Sequence, residues 1–179
     1  MLDELIKNAK NVKGNILTLG FANNSKLVQT INNNKKVNNI ITLTNKGNSK
    51  KNSIKKTFGG KTVRVTKLKK YFKNINTDYI FVEYSSVERF LKTIIRDTID
   101  LSNEKVYMFI DKKINDPEEI LKRYERYGCT VKMMGNNNIY VLTINTKNIK
   151  TKKIKNIIYY IKDIIYSIEE AIAYVLIGE

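Results

Sequence analysis

The sequence predicts an α/β fold: a mostly parallel sheet with helices on both faces, closed by an antiparallel β-hairpin and followed by an extra C-terminal helix. Three observations predict it. Short apolar runs at residues 16–19, 39–44, 78–84 and 106–110 alternate with segments of helical period, which is the signature of βαβ units. A Gly135-Asn136-Asn137-Asn138 turn separates two β-branched runs at 130–134 and 139–144 and reads as a hairpin. Beyond it, Ile154, Ile157, Ile158, Ile161, Ile165, Ile168 and Ile172 fall on one helical stripe.

Leu2, Leu5, Ile6 and Ala9 recur at helical spacing, with Asp3 and Glu4 at the positive end of the helix dipole. Gly14 ends that lead-in helix, and residues 16–19 form the first strand. Asn23, Asn24 and Ser25 offer capping side chains to a helix that buries Leu27, Val28 and Ile31. A turn at Asn32-Asn33-Asn34 leads to the second strand, 39–44. The polar stretch 45–57 holds five lysines and reads as a loop; 61–66 alternates as a short strand, and Leu68, Tyr71 and Phe72 imply a short helix. Asp78 to Tyr84 has an apolar centre with acids near both ends and reads as a central strand. Ser85 and Glu88 have capping-box spacing before a helix bearing Val87, Phe90, Leu91, Ile94, Ile95 and Ile99. Asp116-Pro117-Glu118-Glu119 opens a further helix that Gly128 ends. Residues 1–146 are thus expected to form one domain, with 147–179 as an amphipathic helix that packs on it or mediates a homodimer.

Composition narrows the chemistry. The chain has 179 residues, no histidine and one cysteine, Cys129, which excludes an internal disulfide framework, His-containing zinc sites and His-based triads. No apolar run reaches the length of a membrane span, and a cytoplasmic location is expected. The formal net charge of +16 is unevenly spread: residues 1–77 hold 17 basic and 2 acidic groups, and residues 5–77 hold no acid at all. Lys50, Lys51, Lys55, Lys56, Lys61, Arg64, Lys67, Lys69 and Lys70 suit the phosphates of RNA or another nucleic acid, since lysine contacts backbone charge while base reading recruits arginine. The alternative is a solvated lysine-rich surface. Phe58-Gly59-Gly60-Lys61-Thr62 lacks the first glycine of a phosphate-binding loop, where Lys55 stands, and reads as a turn.

Parallel βα units that end in an antiparallel hairpin, a glycine after strand one in Leu19-Gly20-Phe21-Ala22-Asn23-Asn24, and an acid after the central strand in Glu83-Tyr84-Ser85-Ser86 resemble the Rossmann-like class I S-adenosylmethionine-dependent methyltransferases. The resemblance covers about residues 14–145 and is one of layout. It implies S-adenosylmethionine as cofactor, with Gly20, Phe21 and Asn23 at its methionine part and Asn45, ending strand two, at its ribose. It also implies Glu83 and Tyr84 facing the methyl acceptor, Glu83 to orient or deprotonate it and Tyr84 to stack on a base. This chain has one glycine in the first loop and no acid at the end of strand two. Two functions follow: methyl transfer to RNA or another phosphate-rich partner, or a cofactor-free relative acting as a nucleic-acid-binding or scaffold module. For Glu83 and Tyr84 the plainer alternative is a solvated strand end and a ring packed on the next helix.

Overall fold

The structure, a computed structural model, describes residues 2–22, 24–45, 53–56, 62–64, 68, 72, 75–111, 117–136, 138–147, 149, 161, 164, 165 and 168. Helix α1 spans Leu2–Asn11, and β1 Gly14–Gly20 leads into α2, Lys26–Asn32. β2 is Val37–Asn45, and the short strands β3, Ser53–Lys56, and β4, Thr62–Arg64, follow. Then come β5 Thr77–Glu83, α3 Leu91–Leu101, β6 Ser102–Ile110, α4 Pro117–Arg126, β7 Thr130–Asn136 and β8 Ile139–Asn145.

The described strands form one sheet in the order β4-β3-β2-β1-β5-β6-β8-β7. β2, β1, β5 and β6 are mutually parallel, and an antiparallel pair extends each side. The fold is thus the expected Rossmann-like α/β sheet with a closing hairpin. Central parallel strands bury both faces, which is why β1 is apolar on successive residues: Leu17 and Leu19 enter one core, Ile16 the other. The first core packs Leu43, Ile80, Val82 and Met108 under α3 and α4, together with Leu68 and Phe72. The second packs Phe81, Tyr107 and Val141 under α1 and α2.

Asp78 ties together the strand starts. Its Oδ2 accepts from the Asn15 amide at 2.8 Å and its Oδ1 from Asn103 Nδ2 at 3.3 Å, while Ser102 Oγ donates to its carbonyl at 3.2 Å. Gly14, at φ +79, makes room for this: a Cβ there would collide with the Asp78 carboxylate. These contacts also explain why β6 starts at polar Ser102 and not at Val106, because backbone and hydroxyl pairing extend the strand where hydrophobicity is silent. At the end of α4, Gly128 at φ +82 donates to Glu125 O and Cys129 N to Tyr124 O, a Schellman closure.

Several expectations are corrected. The stretch 45–57 is not all loop, since Ser53–Lys56 pairs antiparallel with Leu43–Asn45 and with β4; main-chain pairing with a sheet edge needs no apolar pattern. Ser85 does not cap a long helix. Two 3₁₀ turns, Tyr84–Ser86 and Glu88–Phe90, precede α3, and the Ser85 hydroxyl donates to Glu83. Gly135 and Asn136 belong to β7, with Gly135 opposite Tyr140, whose ring fills the space a Cβ would need. The expected short helix at 68–72 is represented by Leu68 and Phe72, both helical and buried. Of the C-terminal stripe, Ile161, Ile165 and Ile168 are described, helical and about half exposed; Ile154, Ile157, Ile158 and Ile172 lie outside the described residues.

Gly14→Ala is expected to lower unfolding stability by about 2–4 kcal/mol, from positive φ plus the clash. Asp78→Ala destabilises by itself through the lost clamp, and should cost less in the Gly14→Ala chain, where it also removes the clash, as urea midpoints will show. Burial pushes the Tyr107 hydroxyl from 10.0, and the Cys129 thiol from 9.0, up to about 12 in each case. Both acids are held neutral in the folded state but ionise earlier in the unfolded chain. Their stabilisation is therefore complete below about pH 9 and lost as pH rises towards 12. Denaturation midpoints should fall across that window, and less steeply in Cys129→Ala.

Candidate functional site

The chain leaves β1 for β2 on one side and later crosses to β5 on the other, so the carboxyl ends of β1 and β5 flank the topological switch point where such sheets bind ligands. The register pairs Leu19 with Val82, so the next residues, Gly20 and Glu83, stand side by side at that rim. Continuing outward, Gly20 pairs with Thr44 and Thr44 with Lys55, while Glu83 pairs with Phe109. One row across the sheet therefore reads Lys55, Thr44, Gly20, Glu83, Phe109. At about 4.8 Å per strand, the Lys55 backbone is roughly 10 Å from Gly20.

Gly20 has φ +94, and the space on its side-chain side is filled by the protein itself. A Cβ there would lie 2.8 Å from Glu83 Oε2 and would collide with Ser86 Oγ. Glu83, half-buried, accepts from Ser85 Oγ at 2.5 Å through Oε1 and from Ser86 Oγ through Oε2. Both carboxylate oxygens are engaged by hydroxyls from the turn that follows the strand, so the carboxylate is oriented by its own chain. Each oxygen keeps a second lone pair, with its direction set by the serines.

Of the residues expected at a cofactor, Gly20 is at the rim. Phe21 turns into the second core beside Leu27, Val28 and Phe81, leaving its backbone at the loop. Asn23 lies outside the described residues, and for Asn45 only the backbone, at the end of β2, is described. Glu83 is beside Gly20. Tyr84 is buried in the first core, so its ring is a wall under α3 and is not presented as a stacking surface. Of the basic set, Lys55, Lys56 and Arg64 are placed by backbone on β3 and β4; Lys50, Lys51, Lys61, Lys67, Lys69 and Lys70 lie outside the described residues. Sequence reasoning missed the Ser85 and Ser86 contacts, although two hydroxyls directly after a strand-end acid were a visible signal.

Of the residues expected to hold S-adenosylmethionine, Gly20 is closed on its side-chain side by Glu83 and Ser86 and the Phe21 ring lies in the second core, so a cofactor at this rim would have to approach the loop from another side. Among the described residues no group of acidic or cysteine side chains could hold a metal ion, and no helix is long and apolar enough to cross a membrane.

No protein-family model matches the chain, and no curated protein matches it. A solved structure described as a methyltransferase from Pyrococcus furiosus is similar to it at 16% identity and a TM-score of 0.39, over 81% of each chain.

Gly20→Ala is expected to destabilise by about 2–4 kcal/mol through positive φ and the collision with Ser86. Ser86→Gly in the same chain should return part of that loss, giving a double-mutant coupling above about 0.5 kcal/mol in chemical denaturation.

Proposed function

We propose that this chain is a nucleic-acid-binding module built on a methyltransferase-like α/β sheet, holding RNA foremost through backbone phosphates and working without S-adenosylmethionine. The observation that carries this reading is that the basic segment builds one side of the sheet. Among the described residues, the strands from residues 1–76 are β1 to β4, and they make up one contiguous side, β4-β3-β2-β1. Residues 1–77 hold 17 basic and 2 acidic groups, and Lys55, Lys56 and Arg64 are placed by their backbone on the outer strands β3 and β4. The remaining 102 residues, with 16 basic and 15 acidic groups, supply β5 to β8. A polyanion is the partner whose binding so basic a segment favours.

The basic hairpin β3–β4 borders the switch-point rim, with Lys55 in the same row as Gly20. Lysine-dominated contact to phosphates reads no sequence and releases counterions, so binding is sequence-tolerant and salt-sensitive. The filled space at Gly20 supports the cofactor-free half of the proposal.

Binding of a mixed-sequence single-stranded RNA should weaken by about 50-fold between 50 and 200 mM salt, as expected for about four phosphate contacts. Lys55→Glu with Arg64→Glu should weaken it further and flatten the salt slope. A flat salt response, or no binding at low salt, overturns the nucleic-acid reading. Calorimetric titration with S-adenosylmethionine should give no heat and no thermal shift; measurable binding would restore methyl transfer as the function.

A further inference from the structure

A cavity of about 550 Å³ opens at the opposite end of the sheet from Gly20, where β1, β2 and β5 begin. Ile41 and Ile75, packed against the first core, form its apolar wall; Ile16 and Ile40, whose side chains belong to the second core, line it too, as do Asn15, Asn38 and Asn39. Asn15 is spoken for: its Nδ2 donates to Asn76 O at 2.7 Å and its Oδ1 accepts from Asn39 Nδ2 at 2.9 Å. It thereby holds Asn39 in place. The exposed Asn38 amide makes no hydrogen bond among the described residues, and Asn39 keeps its own carbonyl oxygen and second N–H. The cavity thus combines branched aliphatic walls with neutral groups that donate and accept together.

Cations flank it. Lys13 and Lys36 stand two residues before Asn15 and Asn38, and the Gly14 amide donates to Lys36 O at 2.9 Å, which joins the two segments. Lys13, Lys35 and Lys36 are exposed, and none is paired with a carboxylate among the described residues. The neighbouring acid, Asp78, is engaged by the Asn15 amide and Asn103.

We propose that this cavity binds the adenine ring of an adenosine phosphate. The ring lies against Ile41 and Ile75, the carboxamides of Asn38 and Asn39 read its edge, and the flanking lysines attract the phosphate. Three features select this ligand. The volume is in the range of small-molecule sites, which are mostly apolar with a few placed polar groups. A free carboxamide matches the paired donor and acceptor at adenine N6 and N7. Lysine supplies a point charge suited to phosphate. The same chemistry is offered by a free nucleotide and by an unstacked adenosine in an RNA strand. The site lies apart from the switch-point rim, so it stands or falls separately from the phosphate-backbone reading.

Titration of the full chain with AMP, followed by calorimetry and amide chemical shifts, is expected to show binding with shifts at residues 38–41. Asn38→Ala, at an exposed position without bonds to lose, should weaken AMP about 10-fold, in line with the loss of one amide–base contact. Lys13→Ala with Lys36→Ala should weaken AMP but not adenosine. Ile41→Trp should block both by filling the cavity; should that variant fail to fold, the Asn38→Ala comparison decides alone. No response to AMP at millimolar concentration, or equal affinity for AMP and UMP unchanged by Asn38→Ala, overturns the proposal. A uridine tract carrying one adenosine identifies the source: tighter binding than the all-uridine strand, reversed by AMP, supports a base within a strand, whereas AMP binding without that difference supports a free nucleotide.

Discussion

The contact between Gly14 and Asp78 sets the frame on which the rest of the sheet depends. A glycine without a Cβ lets a carboxylate from β5 reach the Asn15 amide of β1, and one acid then joins the starts of β1, β5 and β6. Parallel strands have no tight turn to fix their register, so a side-chain clamp at one end is an effective way to specify it. Since β1 and β5 run in step from Ile16 opposite Tyr79 to Leu19 opposite Val82, the clamp at their starts also brings Gly20 beside Glu83 at their ends. The functional rim inherits its geometry from an interaction at the other end of the strands.

Strand order does for charge what the clamp does for register. A chain whose first 77 residues were threaded through both sides of a sheet would mix its lysines with the later acids. Here the crossover to β5 takes the chain to the other side of β1 once and its strands stay there, so the strands of the basic segment are neighbours. Self-repulsion of that kind costs stability in the free protein and is relieved when a polyanion binds, which makes the arrangement intelligible as a binding surface.

Glycines at strand ends have two explanations, and the space beside them separates the two. A glycine that faces open volume leaves room for a ligand; one whose missing side chain is replaced by the protein's own atoms is needed for packing. Gly20 is of the second kind, with Glu83 and Ser86 against it. Gly14 and Gly135 are too, against Asp78 and Tyr140. Among the described residues, an open volume of about 550 Å³ lies where no glycine stands, at the starts of β1, β2 and β5.

By itself the sequence determined the α/β class, the central strands, the helix ends at Gly128 and at the Ser25 cap, and the split of charge at residue 77. These features are written in local periodicity, capping chemistry and composition, and physics near each residue is enough to read them. Only the tertiary structure decided that Ser53–Lys56 is a strand, that Phe21 faces the core, that Glu83 is held by two serines, and that Asn15, Asn38 and Ile75 share a cavity. Each of those depends on segments distant in sequence meeting at a register that no local pattern encodes. Gly20 is the clearest instance: residues 19–24 showed where a ligand site would be expected, and only the approach of β5 showed that Glu83 and Ser86 close the side-chain side of that glycine.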